Sequence, residues 1–229
     1  MAEISGPEMA TPAESVTVTP DGRRLLAVHK DVIRIWKLSD RSLERTISLD
    51  TALSLWIRTH AIDISLDGKL LAVATGGTLV RMWNLNTGKE LFANEPTHQV
   101  AIRSMDWSAD GKYIASCAFD GKVIVWDAQT GEVLNQFIYS KGTANLRSIS
   151  FSPNSRFVAA GGNHFDDKSY LGGLGVFKVW DIITGKQVRE FQHTEGTYDR
   201  FAFSTDGRTL IVALNSNKSI ASTGASFSM

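Results

Sequence analysis

Ser116, His98 and Asp120 are the residue types of a nucleophilic triad, in which an imidazole takes a proton from a hydroxyl and a carboxylate orients the imidazole. A hydrolytic reading also needs donors for an oxyanion, and none can be placed from this sequence. His164, Asp166 and Asp167 are metal-ligating types, but no second His or Cys lies within reach of them along the chain. The same stretch holds Phe165, Lys168 and Tyr170, a mixture of aromatic and charged groups of the kind that anchors protein interfaces. Gly172-Gly-Leu-Gly175 lacks the Lys-Ser/Thr and the strand-to-helix setting of a phosphate loop. Cys117, the single cysteine, falls in a predicted buried strand and reads as inert core. No catalytic, cofactor or metal site is expected.

The elements that carry these residues recur. Trp36, Trp83, Trp126 and Trp180 each close a β-rich stretch, 43 to 54 residues apart. A second marker runs ahead of each: Asp21-Gly22, Asp67-Gly68, Asp110-Gly111, Asn154-Ser155 and Asp206-Gly207, 43 to 52 residues apart. Two markers drifting together define a repeat of about 43 residues with insertions. One unit reads as four short strands. An alternating run from Ile102 meets the turn at Asp110-Gly111, and Tyr113–Cys117 follows. Asp120-Gly121 turns into Lys122–Trp126, and Thr130-Gly131 into Glu132–Phe137. No long stretch has helical periodicity.

Composition agrees. The 229 residues carry 24 Lys+Arg against 24 Asp+Glu, and 43% are hydrophobic. A zero formal charge gives no electrostatic reason for binding nucleic acid or anionic lipid directly. The apolar runs are far shorter than the roughly 20 residues that span a bilayer. Residues 1–15 have neither the basic nor the apolar region of a signal peptide. One cysteine implies a reducing, intracellular location, cytoplasmic or nuclear.

The chain resembles the WD-repeat β-propeller family. The resemblance rests on Trp126-Asp127 and Trp180-Asp181, with the degenerate Trp36-Lys37 and Trp83-Asn84. It rests also on the Ser/Thr-x-Asp-Gly turns named above and on Thr87-Gly-Lys89, Thr130-Gly-Glu132 and Thr184-Gly-Lys186. It covers residues 16–214. It implies an all-β fold of four-stranded antiparallel blades, about four to five of them, with Trp107, Ile114, Val123 and Val125 filling the layers between blades. It also implies that His98, Ser116, Asp120 and Trp126 form a buried structural hydrogen-bond set, with Ser116 facing Trp126 rather than a pocket. Counting back from Trp36 and Trp83 puts Leu26 and Val73 at the Ser position, and in the fourth unit the matching strand position holds Ala160.

The expected organisation is a disordered segment at 1–14, blades over 15–214 and a degenerate or frayed segment at 215–229. Seven units of this length, the ring size the resemblance implies, need about 300 residues. Three explanations stay open: a truncated form, a ring completed by self-association or by another chain, and a small or irregular propeller. The insertion in the fourth unit, within Gly161–Gly175, is the candidate partner-binding loop, with His164, Phe165, Asp166, Asp167, Lys168 and Tyr170 as its named residues. The function expected is a non-catalytic protein–protein interaction scaffold. The alternatives are a subunit of a ribosomal-RNA-processing ribonucleoprotein and a substrate-recognition propeller of a ubiquitin ligase. Partners are other proteins, with no membrane and with nucleic acid reached only indirectly.

Overall fold

A computed structural model describes residues 13, 15–29, 32–49, 61–75, 78–93, 97–140, 144–164, 174–193, 197–216 and 219–226. Among them every regular element is a strand, and neighbouring strands pair antiparallel in chain order. The chain divides into two compact units, Met1–Glu95 and Pro96–Met229.

The first unit holds two four-stranded blades. One is β1 (Ser15–Val18), β2 (Arg24–His29), β3 (Val32–Lys37) and β4 (Leu43–Ser48). The next is β5 (Ile62–Ile64), β6 (Leu70–Thr75), β7 (Leu79–Asn84) and β8 (Glu90–Ala93). The second unit begins with β9 (Ile102–Trp107), β10 (Tyr113–Ala118), β11 (Lys122–Asp127) and β12 (Val133–Ile138). Then come β13 (Ala144–Phe151), β14 (Phe157–His164), β15 (Leu174–Asp181) and β16 (Lys186–His193). A three-stranded sheet ends it: β17 (Thr197–Phe203), β18 (Thr209–Ser216) and β19 (Ser219–Ser226). The fold is all-β, built of propeller blades, four of them four-stranded.

The turn joining the first two strands of each blade is one device used five times. Ser108 Oγ donates to Asp110 Oδ1 (2.7 Å) and accepts the Tyr113 N–H (2.9 Å). Asp110 Oδ1 also accepts the Lys112 N–H (3.1 Å). Gly111 closes the turn onto the Ser108 carbonyl at φ 71°, where a residue with a Cβ is strained. Thr19, Ser65, Ser152 and Ser204 repeat the pattern with Asp21, Asp67, Asn154 and Asp206. The short polar side chains satisfy the backbone donors that a tight turn leaves open, which is why this motif punctuates the repeat.

These turns should contribute acid sensitivity. The Thr19 and Ser204 hydroxyls, with backbone N–H donors, hold Asp21 and Asp206 below the usual carboxylate range. At Asp67 and Asp110 burial pushes the carboxyl up, and the Ser65 and Ser108 hydroxyls with neighbouring donors more than offset it. A carboxyl with a depressed folded pKa adds stability above its unfolded value of 3.8, and that stability is lost as pH falls through the folded value. Urea midpoints should therefore be flat above about pH 5 and fall steadily below about pH 4. A midpoint unchanged down to pH 3 would contradict the account.

Two residues sit where the other repeats use glycine. Arg41 has φ 62° in the turn where Gly88, Gly131 and Gly185 stand in later blades. Ser155 has φ 58° at the Gly111 position, but its Oγ accepts the Asp110 N–H from the preceding blade (3.0 Å). Arg41→Gly should stabilise the chain by about 0.5 kcal/mol, a rise of about 1–2 °C in Tm. Ser155→Gly should give no such gain, because it relieves the strain and loses the tie. Thermal melts of the two variants check both.

The blades stack through one repeated pattern. Leu26, Val28, Ile33, Ile35 and Ile47 of the first blade bury against Ile64, Leu71, Val73 and Trp83 of the second. Ala115, Cys117, Val123, Val125 and Phe137 meet Ile149, Phe151, Val158, Ala160 and Trp180 in the same way. Ala159, Phe177 and Val179 then meet Phe201 and Leu210. Val123 and Val125 fill this layer as the sequence implies, while Ile114 and Trp107 are buried on the opposite face of their blade.

Two expectations change. Residues 219–226, within the 215–229 segment expected to be degenerate or frayed, pair with β18 along their whole length, from Thr209↔Ser226 to Ser216↔Ser219. The stretch is uncharged and rich in Ser and Ala, and backbone pairing needs no apolar signature. The insertion of the fourth blade is partly strand as well. Gly161, Gly162, Asn163 and His164 pair with Phe177, Val176, Gly175 and Leu174, so the blade is lengthened and the connection shrinks to 165–173. Residues 1–12 and 14 lie outside the described residues.

Candidate functional site

Ser116 sits in the middle of β10, with Met105 and Ile124 as its cross-strand neighbours. β11 brings Trp126 beside it. His98 precedes β9, and Asp120 lies in the connection from β10 to β11. The structure brings all four together. His98 Nδ1 lies 3.1 and 3.2 Å from the Asp120 carboxylate oxygens, and His98 Nε2 lies 2.8 Å from Ser116 Oγ. Trp126 Nε1–H donates to the same Oγ (3.0 Å). With the ring proton on Nδ1 facing the carboxylate, Nε2 accepts the serine proton and every donor is used.

Asp120 also anchors backbone. It accepts the N–H groups of Gln99 and Lys122, each at 3.0 Å. Burial pushes its carboxyl up, but the His98 hydrogen bond and the Gln99 N–H outweigh burial and hold it below the usual range. The side chains of His98 and Asp120 are 0% and 4% exposed. The order of atoms is that of a hydrolytic triad, but Ser116 is fully buried and its Oγ already receives the indole N–H. The arrangement ties three strand segments and a turn together; it offers no approach to a carbonyl substrate.

The register identifies the equivalent positions in other blades. Trp83 pairs with Leu71 and Trp180 with Val158, so Val73 and Ala160 match Ser116. Trp36 pairs with Leu25, which makes Ala27 the counterpart in the first blade, not Leu26. The connection between His29 and Val32 is one residue shorter than its counterpart, so counting back from the tryptophan slips by one. Each counterpart is apolar, and the hydrogen-bond set is confined to the third blade among these positions.

Of the candidate loop, His164 ends β14 opposite Leu174 and Ala144. Phe165, Asp166, Asp167, Lys168 and Tyr170 lie outside the described residues. Among the described residues no group of three His, Cys, Asp or Glu side chains could hold a metal ion. Cys117 is buried, and burial pushes its thiol up to about 12, so it is not a nucleophile at neutral pH. An open cleft of about 580 Å³ on the first blade is lined by Arg23, Arg24, Lys37 and Glu44, but Arg24 is committed to Glu44 (3.0 Å) and Asn86 (3.0 Å). The fourth strand read at Glu132–Phe137 is β12, which runs Val133–Ile138 and carries no charge.

Blades of this construction define a β-propeller protein. Residues 90–127 and 134–181 match the family described as WD40: WD domain, G-beta repeat. Over these two stretches the chain is similar to WD-repeat proteins. It is 28% identical over 189 residues to the meiotic recombination protein rec14 of Schizosaccharomyces pombe, covering 82% of this chain and 58% of that one. It is 30% identical over 132 residues to the COMPASS component SWD3 of Saccharomyces cerevisiae, covering 55% and 38%. It is 27% identical over 116 residues to a coronin-like protein of the same yeast, covering 51% and 17%. The chain thus spans between 12% and 58% of the length of these and similar relatives. Among solved structures, Kuenenia stuttgartiensis hydrazine synthase superposes with a TM-score of 0.73 at 16% identity, over 95% of this chain and 60% of that one. At that identity the likeness is one of fold.

Proposed function

We propose that the protein is a non-catalytic scaffold that docks other proteins, working as an intracellular subunit of a multiprotein assembly. The observation that carries this reading is the closed His98–Ser116–Asp120–Trp126 set. The chemistry-bearing side chains of this site are consumed inside a blade, which leaves a rigid frame presenting loops. A relative described as a COMPASS component supports membership in a complex. The 165–173 connection, with Phe165, Asp166, Asp167, Lys168 and Tyr170, is the first docking surface to test. Completion of the ring by another chain belongs to the same reading.

The test is quantitative affinity purification of the full chain against a variant in which residues 165–173 are replaced by a short Gly-Ser turn. The expected result is loss of a reproducible set of partners with the β-sheet spectrum unchanged. An identical partner set would remove the loop from the proposal. Labelling of Ser116 by a fluorophosphonate probe would overturn the non-catalytic reading.

A further inference from the structure

The fourth strand of each four-stranded blade forms one edge of its sheet, so its outward backbone groups are open to pairing. Three of the four carry charges that discourage such pairing: Glu44 and Arg45 on β4, Glu90 on β8, and Lys186, Arg189 and Glu190 on β16. β12 reads Val-Leu-Asn-Gln-Phe-Ile and has none. Phe137 turns into the core, but Leu134 and Ile138 are 46% and 53% exposed, and Gln136 between them is exposed as well. An uncharged six-residue edge strand of high β propensity, free of proline, is the sequence type that adds strands.

We propose that β12 pairs antiparallel with β12 of a second copy about a twofold axis at Gln136, joining two four-stranded blades into one eight-stranded sheet. The strand is self-complementary in that register. Gln136 meets its own copy, and Leu134, the bulged residue of β12, comes opposite Ile138 of the other chain, giving two apolar cross-strand contacts. A twofold contact of this kind is closed, so assembly stops at the dimer. The formal net charge of zero adds no long-range repulsion between copies. A charged partner strand would leave its charge facing Leu134 or Ile138, so a second β12 fits this edge better than a charged segment. The pairing is independent of which partners the scaffold docks.

The test uses the full chain. Light scattering over a concentration series should show two chain masses, and Leu134→Lys should return one chain mass with an unchanged β-sheet spectrum. Ile138→Lys gives the same readout from the other end of the pair. Gln136→Cys should cross-link under mild oxidation, because directly opposed antiparallel residues lie about 4.5–5.5 Å apart at Cα, within disulfide reach. The native Cys117 is buried and stays silent in that assay. One chain mass at every concentration overturns the proposal. So does a dimer that both lysine variants leave intact and that Gln136→Cys fails to cross-link, the result expected if a second copy instead completes the ring through blade faces.

Discussion

Gly162→Ala should destabilise the second unit by at least about 3 kcal/mol, the largest effect of any single methyl group described in this fold. Gly162 lies in β14, paired with Leu146 on one side and Val176 on the other. A Cβ there would stand 2.0 Å from the Asn145 carbonyl oxygen, 2.7 Å from its carbon and 2.8 Å from the Leu146 Cα. All three are backbone atoms, so no rotamer change relieves the clash. The close approach follows from the bulge between Leu146 and Ser148, which pushes β13 across β14. Gly161 is the control. Its Cβ would meet the Phe201 ring at 2.9 Å and the Phe177 Cβ at 3.0 Å; the ring can turn aside, and the Phe177 contact needs a shift of only a few tenths of an ångström. Gly161→Ala should therefore cost clearly less than Gly162→Ala. Equal urea midpoints for the two variants would refute the backbone clash as the cause.

That glycine pair marks how far the fold was legible in the sequence. The repeat, the five Ser/Thr-x-Asp/Asn turns and the third strand of each four-stranded blade were readable because each leaves a local trace: a side chain that satisfies turn donors, a residue suited to positive φ, a tryptophan at the strand end. Gly161 and Gly162 read as part of a surface loop, since glycine is the usual mark of one. Their reason for being glycine is instead a neighbouring backbone brought in by a bulge, which leaves no local signature. β19 was missed for a related reason. Its Ser-Ile-Ala-Ser-Thr-Gly-Ala-Ser sequence has no apolar alternation, and its placement comes from backbone pairing to β18. The slip from Ala27 to Leu26 has a third cause: one residue missing from a hairpin shifts a count but not a hydrogen-bond register. The buried set at His98 was legible through its resemblance to a known pattern, and its distances now explain that pattern. The identity of a docking partner has no such local trace, because exposed loops carry no packing constraint.

Asp120→Ala should lower stability by about 2–3 kcal/mol at neutral pH. The carboxylate accepts from His98 Nδ1 and from the backbone N–H groups of Gln99 and Lys122, and its side chain is almost wholly buried. Alanine leaves these donors without their acceptor in a site that water reaches poorly. The imidazole also loses the group that orients it, which loosens its bond to Ser116 and, through Ser116, to Trp126. Ser116→Ala should cost less, about 1–2 kcal/mol, since it strands one indole N–H and one imidazole nitrogen and leaves the His98–Asp120 hydrogen bond in place. The pH dependence separates this account from a simple loss of packing. The Asp120 carboxyl is held below its ordinary value of 3.8 in the fold, so its contribution is fully present above the unfolded value and vanishes as pH falls through the folded one. The gap between the native chain and Asp120→Ala should then be widest above about pH 5 and should narrow as the native chain is acidified. A packing defect would give a gap that does not change with pH. Urea melts of both proteins at pH 7, 5 and 3.5 decide between the two, and an Asp120→Ala midpoint equal to that of the native chain at pH 7 would remove the hydrogen-bond set from its structural role.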